Sequence, residues 1–249
     1  MWYGVGAREM KVPSIQSDRN PPKAWAERCA GYNAEVRRGI HVTDLVNCPR
    51  KGALSIDGYM GVAASGNEAT SWGSALHELV GAVEVPVALT LADVDITGSA
   101  DKIEDGIVID YKFPNTDSYY WIVKANAPKP EHVWQVEAYR LGLSQMGAET
   151  AGGRVQYGAH SSGKWPNWLG FEWRGPVQSE DAILAFSAFD SPYTVADILH
   201  MAAGNLSVDD IPLVGGTMKF GKEKTMCDYC EFAVPCRLRA SVAPTKAAF

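Results

Sequence analysis

The sequence lacks long apolar runs and an excess of basic residues. No apolar run approaches the roughly 18 residues that a membrane-spanning helix needs, and the opening residues, MWYGVGAREMKVPS, lack the basic and then apolar pattern of a secretory signal. Acidic residues number 29 against 23 basic ones, so the net charge of −6 repels polyanions at long range. We therefore expect a cytoplasmic protein with no membrane segment, in which a local basic groove or bound cations hold any polyanion.

Cysteine is also scarce, since the chain has only five. Three of them fall within ten residues, in the segment CDYCEFAVPC at 227–236. In a reducing compartment this clustering favours a metal site over disulfides. A tetrahedral metal or an iron-sulfur cube normally takes four thiolates, so the segment is either incomplete or closed by a distant residue. Cys29 is the candidate for the cysteine left over.

The length of 249 residues and the ordinary composition predict one main domain with appendages. Residues 1–40 are interpreted as a polar lead-in, 41–239 as the domain and 240–249 as a tail. Periodicity predicts helices and strands in an order typical of an α/β domain with a small mixed sheet. The elements are a buried helix ending before Pro86, two strands in 92–113 around a turn at 104–106, a helix from Glu131 to about Met146, strands at 154–160 and 168–174, and a helix capped by Ser179.

Charged residues follow the aliphatic stretch Ile107-Val108-Ile109 in the second predicted strand. Asp110 and Lys112 share one face of that strand because side chains alternate. Asp101 on the partner strand brings a second carboxylate, and two hard oxygen ligands suit Mg²⁺ or Mn²⁺. The ordinary alternative is a surface salt bridge, which stabilises a protein by only about 0 to 1 kcal/mol.

The spacing of several polar residues strengthens the metal interpretation. His77 precedes Gly98-x-x-Asp101, then Asp110-x-Lys112, and then Gln135-x-x-x-Tyr139, whose two residues share a helical face. This ordered set resembles the PD-(D/E)XK nuclease superfamily, and specifically its RecB-like branch. Cys48-Pro49-Arg50-Lys51 before this core and Cys227-x-x-Cys230-x5-Cys236 after it resemble the iron-sulfur nucleases typified by the fourth CRISPR-associated family and their phage relatives.

The resemblance implies a restriction-endonuclease-like core and a site for each residue. His77, Asp101, Asp110 and the carbonyl of Tyr111 would ligate Mg²⁺ or Mn²⁺, and Lys112 would position or help deprotonate the attacking water. Gln135 and Tyr139 would hold the DNA strand or the carboxylates. Cys48 would join Cys227, Cys230 and Cys236 around a 4Fe-4S cluster that ties the two ends of the core together. Zinc remains the competing occupant, since spacing alone does not separate the two.

The chain departs from the family pattern at two positions. Asp110 stands where glutamate is frequent, and Phe113-Pro114 follows the lysine where threonine is frequent. The implied function is a metal-dependent exonuclease acting on single-stranded DNA or DNA ends, with recombination or CRISPR adaptation proteins as candidate partners. The alternatives are a non-catalytic DNA-binding or adaptor subunit and a zinc-stabilised endonuclease.

One aromatic run has two interpretations of equal weight. Tyr119-Tyr120-Trp121, with Lys124 and Lys129 nearby, either stacks DNA bases beside a basic strip or packs in the core.

Overall fold

The computed structural model of the chain describes residues 39–46, 48–56, 75–159, 168–187, 193–202, 219–220, 224–225 and 236. The predicted boundary between residues 239 and 240, residues 160–167 and Cys29 lie outside these ranges. None of the helices within them is long and apolar enough to cross a bilayer.

The described part is a mixed α/β structure. Its strands are β1 (Ile40–His41), β2 (Val85–Leu91), β3 (Val94–Ala100), β4 (Lys102–Glu104), β5 (Ile107–Lys112), β6 (Gly152–Gly158), β7 (Trp168–Arg174), β8 (Lys219–Phe220) and β9 (Lys224–Thr225). Its helices are α1 (Val42–Val46), α2 (Pro49–Ile56), α3 (Thr116–Ala125), α4 (Pro130–Gln145), α5 (Glu180–Leu184) and α6 (Val195–Ala202), and residues 75–79 are also helical.

Two small sheets meet at the break between β3 and β4. The first has the order β1-β3-β2 and the second the order β4-β5-β6-β7, while β8 and β9 form a separate pair. In the second sheet β5 runs parallel to β6 and antiparallel to β4. The connection from β5 to β6 contains α3 and α4, as a parallel pair requires. The end of β5, where Lys112 lies, is therefore next to the start of this crossover.

The strands and helices predicted after residue 100 are present, although Glu104 belongs to β4 rather than to the turn and β6 begins and ends two residues earlier than predicted. Asp105 and Gly106 have φ values of 50° and 75°, the two positive angles of a type I′ hairpin turn between β4 and β5. Helix α4 ends where expected, with Gly147 at a φ of 85°. Strands β6 and β7 pair, and the Ser179 side chain caps α5 by accepting from Ala182 N.

Two details of the earlier elements were predicted wrongly. The stretch 92–104 is two strands in different sheets, since β3 pairs with β2 and only β4 pairs with β5. The described part of the helix before Pro86, residues 75–79, has no buried side chain, and Leu79 within it and Val83 after it are 81% and 70% exposed. Pro86 itself lies within β2, where its register partner is Ser99.

The core lies between α4 and the two sheets. Helix α4 contacts β2, β5, β6 and α1. Its approach to β2 depends on Gly142, where a Cβ atom would lie 2.4 Å from a methyl carbon of Val87. The helix thereby reaches across both sheets and holds the ends of β3 and β5 near each other.

Candidate active site

The Asp110 carboxylate is buried and held by one cation. Its side chain is 2% exposed, and the Lys112 Nζ lies 2.9 Å from Oδ1 and 2.8 Å from Oδ2. Only the Oδ1 contact has hydrogen-bond geometry, so Oδ2 is a buried carboxylate oxygen without a hydrogen bond. The alternation of side chains along β5 explains the contact, and it places both groups on one face as predicted.

This environment favours the protonated form of Asp110. The pKa of the Asp110 carboxyl is raised to about 6. Burial is the largest cause, and the neighbouring charge of Asp101 acts in the same direction. The Lys112 ammonium and His77 oppose this effect and lower the pKa. A buried acid with this mixture of partners is typical of functional sites, although structural ion pairs also produce it.

Asp101 connects three parts of the site. It lies between β3 and β4, 7% exposed, and its Oδ2 accepts a 2.6 Å hydrogen bond from Tyr111 N. Its Oδ1 lies 3.2 Å from Nδ1 of His77. The hydrogen bond with Asp101 is the main cause that raises the pKa of His77, against the opposing effect of burial. Asp101 therefore fixes the corner between the two sheets to the end of β5.

The donor set has the chemistry that hard divalent cations prefer. Asp101 and Asp110 supply carboxylates, and Oδ2 of Asp110 is a buried oxygen that a cation would satisfy. Within the described part of the chain, however, no three His, Cys, Asp or Glu side chains converge closely enough to hold a metal ion. The residues are arranged as two pairs, His77 with Asp101 and Lys112 with Asp110. For Nδ1 of His77 to bind a metal ion, it must also lose the proton that Asp101 stabilises.

Gln135 and Tyr139 lie buried on α4 and contact each other. Gln135 Nε2 donates a 2.8 Å hydrogen bond to the Tyr139 hydroxyl. The Tyr139 ring packs on β3 at Gly98, where a Cβ atom would lie 2.8 Å from the ring. The glycine of the Gly98-x-x-Asp101 motif is thus required by the close approach of the Tyr139 ring. The roles of Gln135 and Tyr139 in holding DNA or the carboxylates stay predictions.

Sequence reasoning missed His132, which lies on the first turn of α4. The Tyr157 hydroxyl accepts a 3.1 Å hydrogen bond from Lys129 N, so its own proton is available to His132 Nδ1 at 2.8 Å. Burial, together with the charges of Lys112 and Lys129, lowers the pKa of His132 to about 2. A neutral imidazole therefore lies near the Lys112 ammonium. The spacing to Gln135, one helical turn away, was the signal that could have identified it.

Replacing His132 with asparagine is expected to make the protein less sensitive to acid. In the wild type the folded state keeps the imidazole neutral down to about pH 2, whereas the unfolded chain takes up a proton below about 6.5. The unfolded state then binds more protons, so stability is complete above pH 6.5 and falls as the pH decreases. Between pH 7 and pH 5 the loss is at most about 2 kcal/mol. Urea unfolding at both pH values measures it.

Exposed His200 provides the control for this measurement. The His200→Asn variant should lose as much stability between pH 7 and pH 5 as the wild type does. An equal loss in His132→Asn would show that His132 does not resist protonation in the folded state.

The structure describes two of the four predicted cluster cysteines. Cys48 is half-buried directly before α2, and Cys236 is buried in the core at 8% exposure. The Cys48 carbonyl accepts hydrogen bonds from Lys51 N and Gly52 N, which anchors it to the first turn of α2. Cys227 and Cys230 lie outside the described residues, so the cluster stays a prediction.

The aromatic run on α3 divides between the two interpretations. Tyr119 is 2% exposed and belongs to the core, whereas Trp121 is 60% exposed. The Lys124 Nζ lies 4.6 Å from the centroid of the Trp121 ring, within cation–π range.

The overall fold is similar to that of a known structure. The crystal structure of SSO0001 matches with a TM-score of 0.52 and 19% sequence identity, over 90% of this chain and 96% of that one. At this identity the likeness is one of fold. An alkaline exonuclease, LHK-Exo from Laribacter hongkongensis, matches with a TM-score of 0.38 and 14% identity, over 74% of this chain and 90% of that one. The same enzyme in complex with dAMP matches with a TM-score of 0.40 and 13% identity, with the same coverage.

No protein-family model matches the sequence, and no curated protein matches it either.

Proposed function

We propose that the chain is a metal-dependent DNA exonuclease of the PD-(D/E)XK superfamily, RecB-like branch, which hydrolyses single-stranded DNA or DNA ends. One observation carries the proposal: the buried Asp110 carboxylate has a lysine ammonium at both oxygens, with Asp101 and His77 beside it. A surface salt bridge, the ordinary alternative, would leave both partners in solvent, whereas Asp110 is 2% exposed. Burying a charge is costly, so a site that retains one without full hydrogen bonding is better explained by chemistry than by stability.

The proposed roles follow from position. Once the His77–Asp101 pair opens, Asp101 and Asp110, with His77 and the Tyr111 carbonyl, would hold Mg²⁺ or Mn²⁺, which when bound would stabilise charge on the phosphate and acidify its water. Lys112 is not itself a ligand, but its ammonium lies at the same carboxylate, where it would orient the attacking water and stabilise the negative charge that develops on it. Tyr111 N holds Asp101 in place during this step.

Cleavage assays test this function directly. The anaerobically purified protein is incubated with end-labelled single-stranded and double-stranded DNA and with Mg²⁺ or Mn²⁺. Stepwise loss of terminal nucleotides that stops with chelator is expected. A protein that binds DNA but cleaves neither form with either metal would be the adaptor subunit instead.

The 4Fe-4S cluster is proposed separately, on the cysteine pattern of the sequence. Cys48→Ser is expected to abolish absorbance near 400 nm and to lower the melting temperature, because metal binding is coupled to folding. Cys29→Ser is the matched control and should change neither. A colourless protein that contains zinc would establish the competing occupant, and unchanged colour in Cys48→Ser would remove Cys48 from the ligand set.

A further inference from the structure

Two aromatic rings extend from the candidate active site toward solvent. Phe113 directly follows Lys112, and its ring centroid lies 5.5 Å from that of His77. On its other side, the Trp168 ring lies 6.0 Å away at an interplanar angle of 75°. Trp168 begins β7 and is 49% exposed. His77, Phe113 and Trp168 therefore form a row that begins at Asp101 and ends at the surface.

Gly158 at the end of β6 makes room for both rings. A Cβ atom at this position would lie 2.6 Å from the Phe113 ring and 3.1 Å from Trp168. Strand β6 lies between β5 and β7. Gly158 therefore lies beneath Phe113, which directly follows β5, and Trp168, which begins β7. Any side chain at this position would displace the rings, so the pair depends on Gly158.

The geometry of the pair leaves aromatic surface for a ligand. In an edge-to-face arrangement, the ring that contributes its edge has neither of its two faces covered by the other ring. Trp168 keeps about half of its surface in water, although a large apolar side chain is usually buried more deeply. Flat aromatic surface beside a phosphate-handling site is what base stacking in single-stranded DNA requires.

We propose that Phe113 and Trp168 form a stacking site for one unpaired nucleobase of the DNA strand whose phosphate lies at Asp110 and Lys112. The proposal rests on the nuclease function above. His77 contacts both Asp101 and the Phe113 ring, so the stacked base belongs to a nucleotide near the reacting phosphate. A base within a duplex is already paired and stacked, so this site selects single strands or frayed ends.

Abasic scanning tests the stacking site. A set of short single strands, each with one base removed, is titrated with protein in chelator so that binding is measured without cleavage. Wild-type protein is expected to lose roughly 5- to 150-fold in affinity when the base at one position is removed, and little at the others. In Trp168→Leu, which keeps an apolar contact with Phe113, intact DNA should bind more weakly and that position should no longer differ from the rest.

One variant serves as the control. Trp168→Phe keeps an aromatic face and should retain the position dependence.

The outcomes separate the stacking site from the function on which it rests. If the wild type cleaves DNA but the same position stays sensitive in Trp168→Leu, or no position is sensitive at all, the rings are packing only and the stacking site is wrong. If the wild type neither binds nor cleaves DNA, the nuclease function fails together with it.

Discussion

Lys112→Ala should reduce the rate of DNA cleavage by about 100- to 10,000-fold, the range typical of a positioned acid-base group. Within the described residues, the Lys112 Nζ is the only group that donates a hydrogen bond to the Asp110 carboxylate. The loss should appear in the rate constant for cleavage rather than in DNA affinity, and single-turnover assays with excess enzyme distinguish the two. The assay belongs at pH 8, because removal of the ammonium raises the pKa of Asp110 above its wild-type value of about 6.

Lys102→Ala is the matched control for this variant. Lys102 also pairs with an acid two residues away, Glu104, at 2.9 Å, but it lies on β4 and this pair is exposed. Its removal should leave cleavage unchanged. Excess Mn²⁺ should partly restore Asp101→Ala and Asp110→Ala, which weaken metal binding, but not Lys112→Ala. If Lys112→Ala cleaves DNA at the wild-type rate, the Asp110 pair is a structural ion pair and the proposed function is wrong.

Arg140→Met should lower the free energy of unfolding by about 3 to 5 kcal/mol, as the loss of one partner of a buried ion pair does. Arg140 is completely buried and donates to Glu137 Oε1 at 2.6 Å and to the Gly175 carbonyl at 2.7 Å. Trp173 Nε1 and Gln178 N also donate to the Glu137 carboxylate. The network joins α4, which carries Gln135 and Tyr139, to the end of β7. Urea unfolding measures the loss.

Arg154 offers the same pair of residue types on the surface. Its guanidinium contacts Glu172 with both side chains partly exposed, so Arg154→Met should cost only about 0 to 1 kcal/mol. The double variant Glu137→Gln, Arg140→Met removes both charges and should recover part of the stability lost in the single variant. Equal losses from Arg140→Met and Arg154→Met would mean that burial does not strengthen the inner pair.

Local chemistry explains which parts of the fold were predictable from sequence. The β4–β5 turn depends on Asp105 and Gly106, which adopt positive φ, and α4 has an unmistakable end at Gly147. The same alternation placed Asp110 and Lys112 on one face. These features involve residues that are neighbours in the chain, so their spacing carries the information.

The features that sequence did not predict depend on tertiary contacts. Asp101 is at a corner between two sheets rather than within a strand, because β3 turns to pair with β2. The apolar spacing of Leu79 and Val83 indicated a buried face that the fold does not cover. His132 reaches the site only because Tyr157, on β6, presents its hydroxyl there. Such partners come from strands and helices that are distant in sequence.

The parallel pairing of β5 with β6 has a consequence for the order of folding. The β4–β5 hairpin brings Lys102 opposite Ile109 by closing a two-residue turn, whereas Ile107 meets Gly152 only after the whole crossover has been ordered. Closing the longer loop costs more chain entropy and is intrinsically slow. Asp101 and Asp110 should therefore meet early, on a solvated hairpin. The desolvation that raises the Asp110 pKa then arises only in the slower step, when β6 docks.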